Sequence, residues 1–123
     1  MPTRWLIIAS TVALGGCGRS GLPATALFAG VEGSTYSEGT RLIQDRLNGR
    51  FPVGTSAAKL REYLEQQGLR VEPAARPPTP NGGVAFLKYN GSVCGSQVRV
   101  TWKGDTSGRI ERIDALYSDT GCP

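Results

Sequence analysis

The sequence predicts a single α+β domain, in which two N-terminal helices pack on a three- to four-stranded antiparallel sheet. Between Thr35 and Gln67, apolar residues recur at three- and four-residue spacing, which is typical of amphipathic helices. From Gly83 to Tyr117, β-rich runs alternate with turn residues, which is typical of an antiparallel sheet. The length of 123 residues suits one domain.

The first predicted helix lies within residues 35–52. Thr35 and Glu38 have the spacing of a capping box, in which each side chain satisfies a free backbone N–H at the start of a helix. Asn48-Gly49 is expected to end the helix, and Pro52 prevents its continuation. One face of the predicted helix is apolar: Ile43, Leu47 and Phe51.

The second predicted helix begins after a cap supplied by Gly54-Thr55 or by Ser56, and it ends at Gly68, where a left-handed residue suits a helix C-terminus. Its apolar face holds Ala57, Leu60 and Leu64. A short strand is expected over Leu69–Glu72. The stretch after it, PAARPPTPNGG, is expected to be a connecting loop because its prolines cannot donate to a sheet.

The remaining strands are expected at GVAFLKYN, SQVRVTW and RIERIDALY, which span residues 83–90, 96–102 and 109–117. The sequence KGDTSG between the last two runs has the composition of a turn. The pattern therefore predicts three consecutive antiparallel strands, with the short strand as a possible fourth.

Residues 1–16 have the form of a secretory signal, with Arg4 before the ten-residue apolar region WLIIASTVAL. As a helix, ten residues extend about 15 Å, roughly half the hydrocarbon thickness of a bilayer. The segment is therefore predicted to be a leader that is removed, rather than a transmembrane anchor.

The sequence LGGC at residues 14–17 resembles the lipobox of bacterial lipoproteins, with leucine three positions before the cysteine and two small residues between. The resemblance implies that Cys17 receives a diacylglyceryl group and further acyl chains such as palmitate, after cleavage of the leader. Gly18 and Arg19 follow where an aspartate would favour retention in the inner membrane. The protein is therefore expected at the outer membrane, facing the periplasm. The alternative is an ordinary signal with a chance cysteine.

With Cys17 lipidated, Cys94 and Cys122 remain as a pair in an oxidising compartment, which predicts a structural disulfide. The hairpin around the KGDTSG turn brings Cys94 near residue 117 or 118, a few residues before Cys122. Residues 17–34 are expected to be the lipidated N-terminus and a flexible tether, and residues 35–123 the domain. Three apolar residues of the tether could dock on that domain: Leu27, Phe28 and Val31.

Composition argues against several classes of function. The net charge is +4, but the basic residues are scattered and form no stripe with aromatics, so nucleic acid is not an expected partner. The chain has no histidine, which removes the commonest general base and metal ligand. We therefore expect no enzyme activity, no metal site and no cofactor. Three aromatic residues are candidates for partner binding or, alternatively, for filling the core: Tyr89, Trp102 and Tyr117.

The stretch PVGTSAAKLREYLEQQGL resembles a helix motif of the SmpA/OmlA (BamE-like) group of small outer-membrane lipoproteins, which is related in architecture to β-lactamase-inhibitor-protein modules. The resemblance implies a non-catalytic lipoprotein, anchored to the membrane by its lipid, that binds a protein partner in the envelope or supports envelope assembly. An inhibitor or immunity-type lipoprotein that blocks an enzyme is the alternative. The sequence does not indicate the oligomeric state.

Overall fold

The computed structural model describes residues 21–72, 81–90 and 95–120. The predicted leader, Cys17 and most of the proline-rich loop lie outside the described residues, as do Cys94 and Cys122. Within the described ranges, no helix has the length and apolar character needed to cross a membrane.

The described residues form an α+β fold with two α-helices followed by a four-stranded antiparallel sheet, which confirms the predicted class. The strands lie in the order β1-β2-β3-β4, and every neighbouring pair is antiparallel. A 3-10 turn at Ala26–Phe28 precedes the helices. The elements are α1 (Tyr36–Arg50), α2 (Ala57–Gln66), β1 (Arg70–Glu72), β2 (Gly83–Asn90), β3 (Gly95–Gly104) and β4 (Ile110–Asp119).

Both helices begin at predicted capping residues, and α1 continues past the predicted end at Asn48-Gly49 to Arg50. The Thr35 hydroxyl accepts a hydrogen bond of 3.1 Å from the Glu38 N–H, and the Ser56 hydroxyl accepts one of 3.3 Å from the Lys59 N–H. Each bond satisfies an N–H that has no partner within its helix. Gly68 follows α2 with a φ of 95°, which turns the chain out of the helix toward β1.

The hydrophobic core is one cluster that contains residues from both helices, from the strands and from the segment before α1. The apolar side chains of that segment are buried, which agrees with the docking allowed for Leu27, Phe28 and Val31, and Leu22 is buried as well. Two hydrogen bonds hold the segment, from the Leu27 N–H to the Gln67 Oε1 (3.1 Å) and from the Arg46 guanidinium to the Leu27 carbonyl (2.9 Å). The described core therefore includes residues from Leu22 onward.

Strand β4 lies at one edge of the sheet, and side chains of α1 bond to its outward backbone groups. The Gln44 side chain donates to the Ile113 carbonyl and accepts from the Ala115 N–H, both at 2.8 Å. The Thr40 hydroxyl accepts from the Tyr117 N–H (2.9 Å) and donates to the Tyr117 carbonyl (3.2 Å). Thr40 and Gln44 are four residues apart, a rise of about 6.0 Å along the helix, and Ala115 and Tyr117 are two residues apart, about 6.8 Å along the strand. These two distances nearly match, so successive turns of α1 can bond to alternate residues of β4.

The segment between the helices covers the start of the same edge. Gly54 donates to the Ile110 carbonyl (2.8 Å), and the Ile110 N–H donates to the Thr55 carbonyl (2.7 Å). The Ala57 N–H also donates to the Gly108 carbonyl (2.9 Å). These contacts close the β4 edge against pairing with another strand, which protects the sheet from edge-to-edge association.

Candidate functional site

The three predicted partner-binding aromatics lie on the face of the sheet that carries the core residues, which we call the inner face. Trp102 and Tyr117 expose only 5% and 4% of their surface, and Tyr89 is partly buried against the same core. Trp102 and Tyr117 therefore offer a partner almost no surface. The side chains of the opposite face are the next candidates for a binding surface on the sheet.

Tyr117 is the centre of a polar cluster within the core. Its hydroxyl hydrogen-bonds to that of Tyr89, and its ring forms a T-shaped pair with the Tyr36 ring at a centroid distance of 4.8 Å. Tyr36 in turn bonds to the buried Ser96 hydroxyl (2.8 Å). Burial, and then the bond to Tyr89, raise the pKa of the Tyr117 phenol well above its usual value. The phenol therefore stays protonated and has a structural role.

The predicted disulfide lies outside the described residues, but the strands beside it are described. The Thr120 N–H donates to the Gly95 carbonyl at 2.9 Å. Gly95 directly follows Cys94 in the sequence, and Cys122 comes two residues after Thr120. Because Tyr117 pairs with Val98 and Ser118 with Gln97, the expectation that Cys94 lies near residue 117 or 118 is wrong. The register instead brings Gly95, which follows Cys94, together with Thr120, which precedes Cys122 by two residues, and the bond itself stays a prediction.

The outer face of the sheet carries a continuous row of exposed and half-buried side chains, one from each strand. The register pairs Arg70 with Phe86, Phe86 with Arg99, and Arg99 with Leu116. We call these four residues the outer row. Neighbouring strands lie about 4.8 Å apart, so the row extends about 14 Å across the sheet.

Positive charge predominates on this face. Lys103 pairs with Glu111 (3.5 Å) and Arg112 with Asp114 (2.6 Å). Among the described residues, three exposed cations of the face have no carboxylate partner: Arg70, Lys88 and Arg99. Two strand spacings separate the two arginines by about 10 Å, somewhat more than the Debye length of about 8 Å at physiological salt. Salt therefore screens most of the repulsion between them, and each arginine presents its own positive charge to an approaching group.

Apolar side chains interrupt this cationic face. Leu116 exposes 49% of its surface, and Phe86 is half-buried with the Lys88 ammonium 5.7 Å from its ring centroid. Val84 is also half-buried, two positions along β2. A face that mixes apolar contact area with cations is chemically suited to an acidic protein surface, in which apolar contact excludes water from the charge pairs.

The described residues contain no group of three or more histidine, cysteine, aspartate or glutamate side chains placed to hold a metal ion. Comparison of the chain with protein-family models, with curated proteins and with solved structures found no match. The resemblance to small outer-membrane lipoproteins therefore stays a prediction that depends on the lipobox and the α2 motif.

Proposed function

We propose that this chain is a lipoprotein held at the periplasmic face of the outer membrane by lipid on Cys17, and that its domain is a non-catalytic protein-binding or envelope-assembly module. In this proposal the outer face of the sheet docks an acidic surface of an envelope protein. The lipid keeps the domain near its partner, because two or three acyl chains hold a small protein on a bilayer where one chain would not.

We also infer that both helices pack on the inner face of the sheet, which leaves the outer face free for a partner. Buried residues of α1 and α2 share one core with the inner side chains of β3 and β4. Along β3, inner residues such as Val98 and Val100 are fully buried, whereas Arg99 between them is exposed. This alternation is typical of a sheet that is covered on one side.

The observation that carries the proposal is the outer row. Arg70 and Arg99 flank Phe86, and Leu116 completes the row with about half of its surface exposed. Because Arg70 and Arg99 have no carboxylate partner among the described residues, an acidic partner surface would supply their counter-charges. Arginine and aromatic side chains are also the residue types that dominate binding energy in protein interfaces.

Site-specific photo-cross-linking in the native host tests this proposal. A photoreactive amino acid is placed at Leu116, and a control is placed at the exposed Ala58 on α2. Each is combined with Arg99→Glu, or with Arg41→Glu as a matched charge reversal at an exposed position of α1. We expect Leu116 to capture an envelope protein that Ala58 does not capture, and we expect only Arg99→Glu to reduce the yield.

Equal capture from Leu116 and Ala58, or equal loss from both charge reversals, would contradict docking on the outer face. Capture of one soluble enzyme, followed by loss of its activity on titration, would favour the inhibitor or immunity-type alternative. Metabolic labelling with palmitate tests the anchor separately. Cys17→Ala is expected to abolish the label and to release the protein from the membrane fraction.

A further inference from the structure

The two edges of the sheet differ. The β4 edge is closed by Gln44, Thr40 and the segment between the helices. At the opposite edge, β1 has three residues and pairs only with Val84, Ala85 and Phe86 of β2. Strand β2 continues to Asn90 and so extends four residues beyond the end of β1.

The register shows which backbone groups of this extension face outward. The N–H and C=O of Tyr117 face α1, so those of its partner Val98 face β2. Val98 pairs with Leu87, whose backbone groups therefore bond to β3. The backbone groups of successive residues in a strand point alternately to the strand on one side and to the strand on the other. The N–H and C=O of Lys88 therefore point away from β3 to the open edge, and so do those of Asn90.

The end of α2 explains why β1 does not reach Lys88. Continuing the β1–β2 register by two residues would place Gly68 opposite Lys88. Gly68 instead donates its N–H to the Glu65 carbonyl at 3.0 Å and has a left-handed φ of 95°. Within residues 21–72, 81–90 and 95–120, no residue bonds to the outward backbone groups of Lys88.

The side chains beside this edge determine what an added strand would carry. Lys88 lies on the outer face, whereas Leu87 and Tyr89 lie on the inner face beside the core. A residue paired with Lys88 would project on the outer face, toward a cationic surface. The residues before and after it would project toward Leu87 and Tyr89. The favoured strand therefore alternates acidic and apolar residues.

We propose that the partner contains an extended segment of alternating acidic and apolar residues, which adds to β2 at Lys88 as a fifth strand of the sheet. This inference rests on the proposed protein-binding function and names the chemistry of the partner. A second copy of the chain is a poorer occupant, because pairing two β2 edges would place Lys88 beside the cations of the other outer face.

The test uses the purified full chain and a short fluorescent peptide in which glutamate and valine alternate, which we call the acidic alternating peptide. Two peptides of the same length serve as controls: a block peptide, in which all the glutamates precede all the valines, and a basic alternating peptide, in which lysine replaces glutamate. Lys88→Pro removes the outward N–H without breaking a bond to β3, and edge strands tolerate proline at such positions. Lys88→Gln removes the same charge but keeps the N–H, and so is the matched control.

We expect the acidic alternating peptide to bind more tightly than either control peptide. Lys88→Pro should weaken this binding about tenfold more than Lys88→Gln does, because outward backbone hydrogen bonding is lost. The amide NMR signals of Lys88 and Asn90 should shift on binding. Two further versions of the acidic alternating peptide are N-methylated at every second residue, one at the odd and one at the even positions. Only the version whose methyl groups block the N–H groups that face β2 should lose binding, which tests strand pairing without any change to the protein.

Failure of the acidic alternating peptide to bind would overturn strand addition, as would equal binding of the block peptide or equal effects of the two Lys88 variants. Self-association that Lys88→Pro abolishes would assign the edge to a second copy instead. Each of these results leaves the proposed function intact if Leu116 still captures a partner in an Arg99-dependent way. If that capture also fails, the docking face itself is wrong.

Discussion

Replacing Gly39 by alanine tests whether α1 packs against the inner face of the sheet. A Cβ atom at Gly39 would lie 2.4 Å from Cδ1 of the Tyr117 ring and 3.0 Å from the Ser34 hydroxyl. The ring cannot easily move away, because its hydroxyl bonds to Tyr89 and the ring packs against that of Tyr36. The added methyl group therefore requires either the helix or the ring to shift.

Two opposing effects set the magnitude. Overpacking a well-packed core by one methyl group costs about 1 to 3 kcal/mol of unfolding free energy. Alanine is better than glycine within a helix by about 0.5 to 1 kcal/mol. The clash is the larger effect, so we expect Gly39→Ala to destabilise the protein by about 1 kcal/mol. The unfolding midpoint of a domain of this size should fall by about 5 °C.

Gly49 provides a matched control in the same helix. A Cβ atom there would have no heavy atom within 4 Å, so only the gain in helix propensity remains. Gly49→Ala should stabilise the protein by about 0.5 kcal/mol. Thermal and urea unfolding of the two variants should therefore give opposite signs. If Gly39→Ala proves as stabilising as Gly49→Ala, then α1 does not lie against Tyr117 and the inferred packing is wrong.

Three further predictions concern the edge, the tyrosine cluster and the disulfide. Gln44→Leu removes both hydrogen bonds to β4 and should cost about 1 to 3 kcal/mol in urea unfolding. Exposed Asp45→Asn should cost almost nothing, and equal costs would refute the edge contact. Because folding raises the pKa of Tyr117 above its usual value of 10.0, its contribution to stability is complete below about pH 10 and is lost as pH rises further. Tyr117→Phe should flatten that alkaline loss, and an unchanged slope would exclude Tyr117 as its source. Thiol titration of the native chain should find Cys94 and Cys122 unreactive, and their double replacement by serine should cost about 3.5 kcal/mol. Two reactive thiols would show that the bridge is absent.

Local signals in the sequence predicted most of the elements. Thr35 and Ser56 begin the helices, Gly68 ends the second helix, and the run Gly83–Asn90 has the bounds that the pattern predicts. Capping, periodicity and turn composition are properties of neighbouring residues, so one sequence is enough to show them. The short strand expected over Leu69–Glu72 is also present, one residue shorter.

The outer row could not be predicted, because it depends on the register between strands. Arg70, Phe86, Arg99 and Leu116 are far apart in sequence and look like scattered surface residues. Only the pairing of all four strands makes them neighbours. Residue type alone makes Tyr89, Trp102 and Tyr117 candidates for partner binding, and residue type does not distinguish the buried Trp102 from a surface residue.

The sequence indicates the contact of α1 with the β4 edge only weakly. Thr40 and Gln44 each follow a buried position of the helix stripe, Gly39 and Ile43. A polar pair spaced four residues apart beside an apolar stripe lies at the margin of the packed face, where it can reach backbone groups. Periodicity alone does not show what such a polar pair contacts, because the same pattern also occurs where the margin of a helix is exposed to solvent.

The most direct test of the central claim is the cross-linking yield from Leu116 in the native host after the double charge reversal Arg70→Glu/Arg99→Glu. The control is the double reversal Arg41→Glu/Lys59→Glu on exposed helix positions. Loss of two favourable charge contacts predicts a fall of about tenfold in yield for the first variant alone, with unchanged amounts of protein in the outer-membrane fraction. An undiminished yield from the sheet variant would contradict docking of an acidic partner on the outer face.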